Sequence, residues 1–432
     1  MRAGRIPRRH PCSPGVCARG PPVLFVLFSQ YYGPLADARH LEELGLEIVD
    51  RREGRPFKEA PPSGYNNPAQ LRSAFESLAT SYPTLATLID LTETYDQPVT
   101  HDGNHLYALK ISDNVDVDED EPNYLVVGNH HARELITPEL ALNTSATLLS
   151  QYASDDAIRA LVDSTQIYVM WTVNPDGLDY VWEVDDYWRK NRRNNGNSYG
   201  VDLNRNGPIG WDFSCGGSST PASDTYRGPS AASEPETQTV LAFHEDRRFA
   251  KVLDFHSYAR EVRSIYADCA SLPALVDAYF EEIADAFADL MTGYVGARSC
   301  CMGGHIHSAY HGQGALTFLV ETGTAFQPPE SAMREELRRV LPGTLYFLQL
   351  PIPLVGHVLD ASTNAPLAAR IDIADLDFEL GERRETFAAT GRYHLWLPAG
   401  TYNLTVTADG VGSSSAVVSI TSSGTTVRDW YL

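Results

Sequence analysis

Two spacings of apolar residues alternate along the middle of the chain. NPAQLRSAFESLATSYP repeats its apolar positions at three and four residues, which predicts a helix. LATLIDLTE, HLYALKIS and NYLVVGNH follow as short apolar runs and predict strands. PELALNTSATLLSQY returns to helical spacing and opens with a proline, which the first helical turn tolerates. QIYVMWTV predicts a buried strand that ends at Asn174-Pro175-Asp176-Gly177, a turn signal. PETQTVLAFHEDRRF, PALVDAYFEEIADAFADLM and PPESAMREELRRVLPGTLYFLQL predict further helices, and KVLDFHSY and ALTFLVE further strands. Strands alternating with helices imply an α/β fold, a mixed β-sheet with helices on both faces. Functional groups in such folds lie beyond the carboxyl ends of strands.

The pattern changes at Pro351-Ile352-Pro353. VGHVLDAS, ARIDIAD, RYHLWLP, TYNLTVTA and AVVSITS are short strands parted by Gly, Pro, Asn and Ser, which predicts a small all-β sandwich over 351–432. At the other end, Pro61, Pro62, Ser63 and Gly64 form a linker. Residues 61–350 are therefore expected to form the main domain. Residues 23–60 fit a strand-helix-strand region, and residues 1–22, rich in arginine, a leader or disordered segment. PPVLFVLF followed by small residues also has the outline of a secretory signal, with a short apolar core.

Composition narrows the function classes. The chain has 432 residues, 43% apolar and 21% charged, with a formal net charge of −22. Such a negative chain does not neutralise phosphates, so no nucleic-acid partner is expected. No apolar run has the length of a membrane span, so no integral membrane segment is expected. The balance suits a dispersed, secreted or periplasmic protein, taken here as a monomer. The six cysteines lack the paired spacing of a zinc ribbon.

Chemistry concentrates after the predicted strands. GNHHARE, Gly128–Glu134, follows the apolar run Tyr124–Val127, and places His131 and Glu134 three apart. His256 follows KVLDF, with Ser257 and Tyr258 next, and Glu321 ends ALTFLV. Two imidazoles and a carboxylate make a three-ligand zinc site with a fourth position left for water. A further carboxylate beside that water can act as its base. Each motif alone is weak; their convergence on successive strand ends carries the expectation.

GNHHARE resembles the first zinc motif of the zinc carboxypeptidases of peptidase family M14. NPDG, YWRKNRR, GVDLNRN, DTYRGPSAASEPET, DFHSY and VETG occur in that family's order, so the resemblance covers about Gly64 to Leu350. It implies one Zn²⁺ per chain held by His131, Glu134 and His256. It implies that Asp202 orients the first histidine and that Glu321 is the general base activating zinc-bound water. Arg189 would stabilise the oxyanion, and Asn204 and Arg205 would grip the terminal carboxylate of peptide or protein C-termini. Arg133, Ser257 and Tyr258 would contact substrate. Ile306 falls where the family sets the character of the primary pocket, which implies apolar or aromatic C-terminal residues. Arg260 and Arg263, in a segment longer than the family's usual one, are the alternative and would favour acidic ones. VLDASTNAPLAARI and GRYHLWLPAGTYNLTVTADG resemble the transthyretin-like domain that follows some carboxypeptidases.

Two departures from the pattern stand out. Ser299 occupies the place of the family's mobile, carboxylate-covering tyrosine, and Tyr294 is the nearest tyrosine. Cys215 lacks its expected partner, because the matching position is Ala222, while Cys269 with Cys300 or Cys301 is a possible bridge. Two rival functions are a non-catalytic binding module and a zinc deacylase or amidase. The intact Asn204-Arg205 pair argues for a free peptide C-terminus.

Overall fold

The computed structural model describes residues 63–266, 270–299 and 301–432, all belonging to one compact unit. The strand-helix-strand expectation for 23–60 and the leader at 1–22 lie outside the described residues, as do Cys12, Cys17, Cys269 and Cys300. Among the described residues no helix is long and apolar enough to cross a membrane.

The main layer is an eight-stranded mixed sheet. Its strands are β1 (Ala86–Asp90), β2 (Tyr107–Ile111), β3 (Asn123–Gly128), β4 (Gln166–Met170), β5 (Lys251–His256), β6 (Glu261–Ser264), β7 (Val295–Arg298) and β8 (Leu316–Glu321), in the order β1-β2-β4-β3-β5-β8-β6-β7. The four central strands β4, β3, β5 and β8 run parallel. β3, β4 and β5 are buried along their whole length, which is why each is a continuous apolar run and not an alternating one. Parallel pairing also brings their carboxyl ends to one edge: His256 is in register with Glu321, and Gly128 with Phe255.

Helices cover the sheet where 3.6-residue spacing predicts them, over Pro68–Ser81, Ile136–Gln151, Pro235–Arg247, Ala274–Asp289 and Glu330–Gln349. The NPDG segment is a helix start and not a free turn. Asn174 caps Pro175–Glu183, its Oδ1 accepting from the Gly177 N–H at 3.0 Å, with Pro175 in the first turn. The same residue types serve turns and caps, so the local signal did not separate them. Helix His305–Gln313 and the short strands β6 and β7 carry no period long enough to be predicted.

Beyond Gln349 the chain forms β9 (Leu354–Leu359), β10 (Arg370–Ile373), β11 (Arg392–Leu395), β12 (Gly400–Ala408), β13 (Gly412–Ile420), β14 (Thr426–Val427) and β15 (Trp430–Tyr431). One sheet is β10-β12-β13; the other is β11-β9-β14, with β15 also on β9. β9 alternates buried and half-buried positions and β10 buried and exposed ones, as a sandwich face requires. The sandwich is joined to the α/β part by named contacts. The Trp396 indole N–H donates to the Ala250 carbonyl at 2.9 Å, and the Tyr266 hydroxyl donates to Glu382 at 2.9 Å.

Lys251 is fully buried under this junction, its Nζ donating to the carbonyls of Leu348 and Leu350 at 2.6 Å each. It satisfies carbonyls at the end of helix Glu330–Gln349 that have no helical partner. Lys251→Ala strands both and should cost about 2–3 kcal/mol of stability, read from the urea midpoint at constant slope.

Candidate active site

The first arm of the site leaves β3 at Gly128. A Cβ there would stand 2.9 Å from the Thr137 carbonyl oxygen, so glycine lets the strand end approach the following helix. Asn129 next adopts φ +61°, which asparagine tolerates better than most residues. Its Nδ2 donates to the carbonyls of His131 and Ala132, both at 3.2 Å, and its N–H donates to Thr137 Oγ1 at 2.9 Å. The chain is folded back on itself there, and His131 and Glu134 share one side of the turn.

The second arm is the end of β5, two positions across the parallel sheet from β4. The two arms meet. His131 Nδ1 lies 2.8 Å from Glu134 Oε1 and 3.1 Å from His256 Nδ1, and His256 Nδ1 lies 3.2 Å from Glu134 Oε2. All three residues are buried. These spacings suit a tetrahedral zinc ion, where bonds of about 2.0–2.1 Å imply ligand separations of about 3.3 Å. The two Nδ1 atoms face each other at a distance where at most one carries a proton, and a metal between them would replace it. The donor set therefore fits Zn²⁺.

Carboxylates back the triad. Asp202 Oδ1 lies 3.2 Å from His131 Nε2 and Asp202 Oδ2 accepts from Arg189 Nη2 at 2.8 Å and Nε at 3.2 Å. Asp202 also caps the turn Leu203–Arg205, accepting from the Asn204 N–H at 3.0 Å. Burial works against its charge, but Arg189 and then His131 outweigh it and hold the carboxyl well below the usual range. Glu134 is likewise kept ionised against burial by His131 and His256, and its Oε2 accepts from the Ser257 N–H at 3.0 Å. Arg189 Nη1 sits 4.0 Å from Glu134 Oε1. Burial opposes its charge too, and Asp202 and Glu134 more than restore it.

The triad opens into a cleft of about 360 Å³ that is also lined by Arg189, Asn204, Arg205, Ser257, Tyr258, Arg263, Ile306 and Glu321. Burial, then the Glu134 charge, pushes the Glu321 carboxyl above the ordinary range. Asn204 is locked: its Oδ1 accepts from the His305 N–H at 2.9 Å, across Gly304, where a Cβ would lie 2.8 Å from that oxygen. Arg205 Nη1 donates to the Asn204 carbonyl at 2.7 Å.

Other expected residues fall differently. Arg133 is buried behind Phe326, its guanidinium 4.4 Å from that ring, and Phe326 itself lines the cleft. Tyr258 is about half exposed and packs edge-on against the same ring at 4.8 Å. Arg260 is clasped by Glu336 at 2.7 and 3.2 Å, whereas Arg263 lines the cleft, held by Glu261 at 2.8 Å and 3.7 Å from Glu321. Ser299 lines the cleft. Tyr294 is buried in the core; its hydroxyl donates to Glu336 at 2.7 Å and accepts from the Gly323 N–H at 3.2 Å. It is a packing residue and is not among the residues lining the cleft. Cys215 is disulfide-bonded, which corrects the expectation that it lacks a partner.

Sequence reasoning passed over Asp254. It precedes His256 by two on β5, so both side chains leave the same face of the strand. An acid inside an otherwise apolar run was the available signal.

A family profile described as zinc carboxypeptidase matches residues 71–340. A zinc carboxypeptidase of Saccharothrix mutabilis subsp. capreolus is 34% identical over 174 residues, 40% of this chain and 39% of that protein. A protein named inactive metallocarboxypeptidase ecm14, of Talaromyces marneffei, is 30% identical over 202 residues, 44% of this chain and 34% of the relative. The match thus spans between a third and two fifths of the length of these curated relatives. The crystal structure of thrombin activatable fibrinolysis inhibitor superposes with a TM-score of 0.59 at 24% identity, over 66% of this chain and 73% of that one, a likeness of fold.

Proposed function

The chain belongs to the zinc carboxypeptidase family, and on that premise we propose that it is a zinc-dependent exopeptidase hydrolysing the C-terminal bond of peptides or proteins. The observation that carries the reading is the convergence of His131, Glu134 and His256 with Glu321, Arg189 and Asn204-Arg205 on one cleft. Zn²⁺ held by the three ligands would supply the Lewis acidity that makes water reactive near neutral pH. Glu321 takes the proton of the attacking water and delivers it to the departing amine, and its raised proton affinity suits both transfers. Arg189, fixed by Asp202, presents its guanidinium to the charge developing on the carbonyl oxygen. Asn204 and Arg205 receive the terminal carboxylate, for which a guanidinium is matched in charge and shape.

Ile306 and Leu319 form the apolar wall of the pocket. The Arg263 charge, next to Leu319 across the sheet, is already answered by Glu261 and Glu321. The pocket therefore favours an apolar or aromatic C-terminal side chain. The C-terminal strands are read as a transthyretin-like module supporting the cleft from behind. Glu382 holds Tyr266, whose ring stacks at 5.9 Å on His307 in the cleft wall.

The test is single-residue release from matched peptides ending in Phe, Leu, Glu or Lys, followed by mass spectrometry with chelator and with zinc restored. Zinc-dependent release from the Phe and Leu endings is expected. A C-terminal amide of the same peptide lacks the carboxylate that Arg205 would bind, and kcat/KM should fall by about 10–100-fold. No release from any ending by zinc-loaded protein would sink the exopeptidase reading and favour a binding module. Equal cleavage of acid and amide would point to an amidase.

A further inference from the structure

Behind the triad, on the side away from the cleft, lies a second buried body of polar groups around Asp254. Asp254 is fully buried. Its Oδ1 is 3.4 Å from His256 Nε2 and 3.1 Å from His130 Nδ1, and its Oδ2 is 3.1 Å from His305 Nδ1. His305 in turn places its Nε2 2.7 Å from His244 Nε2. The His130 ring stacks on His256 with centroids 5.4 Å apart. His130, His244 and His305 are all buried, and none of them belongs to the triad.

Proton accounting gives this body a role. A histidine that binds a metal through Nδ1 carries its hydrogen on Nε2, and that N–H needs an acceptor. Two polar atoms stand near His256 Nε2: Asn204 Nδ2 at 3.2 Å and Asp254 Oδ1 at 3.4 Å. The amide nitrogen is a donor, and its orientation is set because Asn204 Oδ1 is engaged by the His305 N–H. Of the two, the carboxylate can accept, and its Oδ1 is buried with no other hydrogen-bond partner. Asp202 stands in the same relation to His131 Nε2, at 3.2 Å. The two metal-facing imidazoles are thus backed by two separate buried carboxylates, one from the turn after Val201 and one from β5 itself.

We propose that Asp254 is the positioning residue for His256: its carboxylate accepts the Nε2 hydrogen and fixes the ring with Nδ1 toward the metal, and His305, hydrogen-bonded to Oδ2, holds that carboxylate in place. The inference rests on the reading of His131, Glu134 and His256 as the zinc ligands. Loss of such an outer partner costs a metal site about 10–100-fold in affinity.

The test compares the full-length protein with Asp254→Asn, Asp202→Asn and His305→Asn. Zinc affinity is measured by competition with a chromogenic chelator, zinc content by elemental analysis, and ligand geometry by the visible spectrum of the Co²⁺-substituted proteins. Asp254→Asn should weaken zinc by about 10–100-fold, comparably to Asp202→Asn, and change the Co²⁺ bands while the far-ultraviolet circular dichroism stays the same. If Asp254→Asn does not fold, His305→Asn should still weaken zinc, by less, with the same spectral direction. Unchanged affinity and spectrum in the Asp254 and His305 variants, with loss in Asp202→Asn, overturns the proposal and leaves the zinc site standing. No loss in any variant overturns the zinc-site reading itself. Two zinc equivalents per wild-type chain, one of them lost in His305→Asn, would show that the Asp254 body is a metal site in its own right and also overturns the proposal.

Discussion

Glu321→Gln will lower kcat toward the upper end of the 10²–10⁴-fold range for a lost acid–base group, with little change in KM. The upper end is expected because, in the proposed mechanism, one carboxylate serves two proton transfers, from the attacking water and to the leaving amine. Gln is nearly isosteric, so the end of β8 and its register with His256 should persist. Glu321 is not one of the three proposed ligands, so zinc content should stay at the wild-type level. The substitution does remove a negative charge beside Arg263, 3.7 Å away, and leaves Glu261 to hold that arginine. The measurement is steady-state release from a Phe-ended peptide, with zinc assayed on the same preparation. A variant retaining more than a tenth of wild-type kcat with full zinc would show that another group moves the proton.

The second large effect is on the metal. His256→Ala removes a proposed ligand rather than an outer partner, so zinc affinity should fall by well over the ~100-fold that outer partners reach. Activity at nanomolar free zinc should vanish with it. A thermodynamic readout follows without any turnover. Zinc at about 100 times its dissociation constant stabilises the folded protein by about 2.7 kcal/mol, so the wild-type melting temperature should rise on zinc addition. The variant's should not respond in that range. An equal zinc response in both proteins would place the metal elsewhere.

Part of this site was legible in the residues. GNHHARE after an apolar run and glutamate at the end of ALTFLV put the polar groups at strand ends, and β3, β5 and β8 end there. Three features were not legible, each for a stated reason. NPDG matches turn and helix-cap statistics equally, and only the helix that follows distinguishes them. Tyr294 lies closest in sequence to the empty tyrosine position, yet its hydroxyl is spent on Glu336, forty-two residues later. Arg260 and Arg263 have the same local context, but Glu336 takes the first and leaves the second on the cleft wall.

The sequence by itself determined the longer helices and the central strands, where those strands end, and which residue types stand at those ends. Apolar spacing records the face that a segment buries, and turn and cap residues record where it stops; both are short-range. Only the tertiary structure decided that β3 and β5 lie side by side and that His131 meets His256 across 125 residues of chain. It alone placed Asp254 between His256, His130 and His305. Spacing along a strand says that a side chain is buried, while the strand order of the sheet decides what it is buried against.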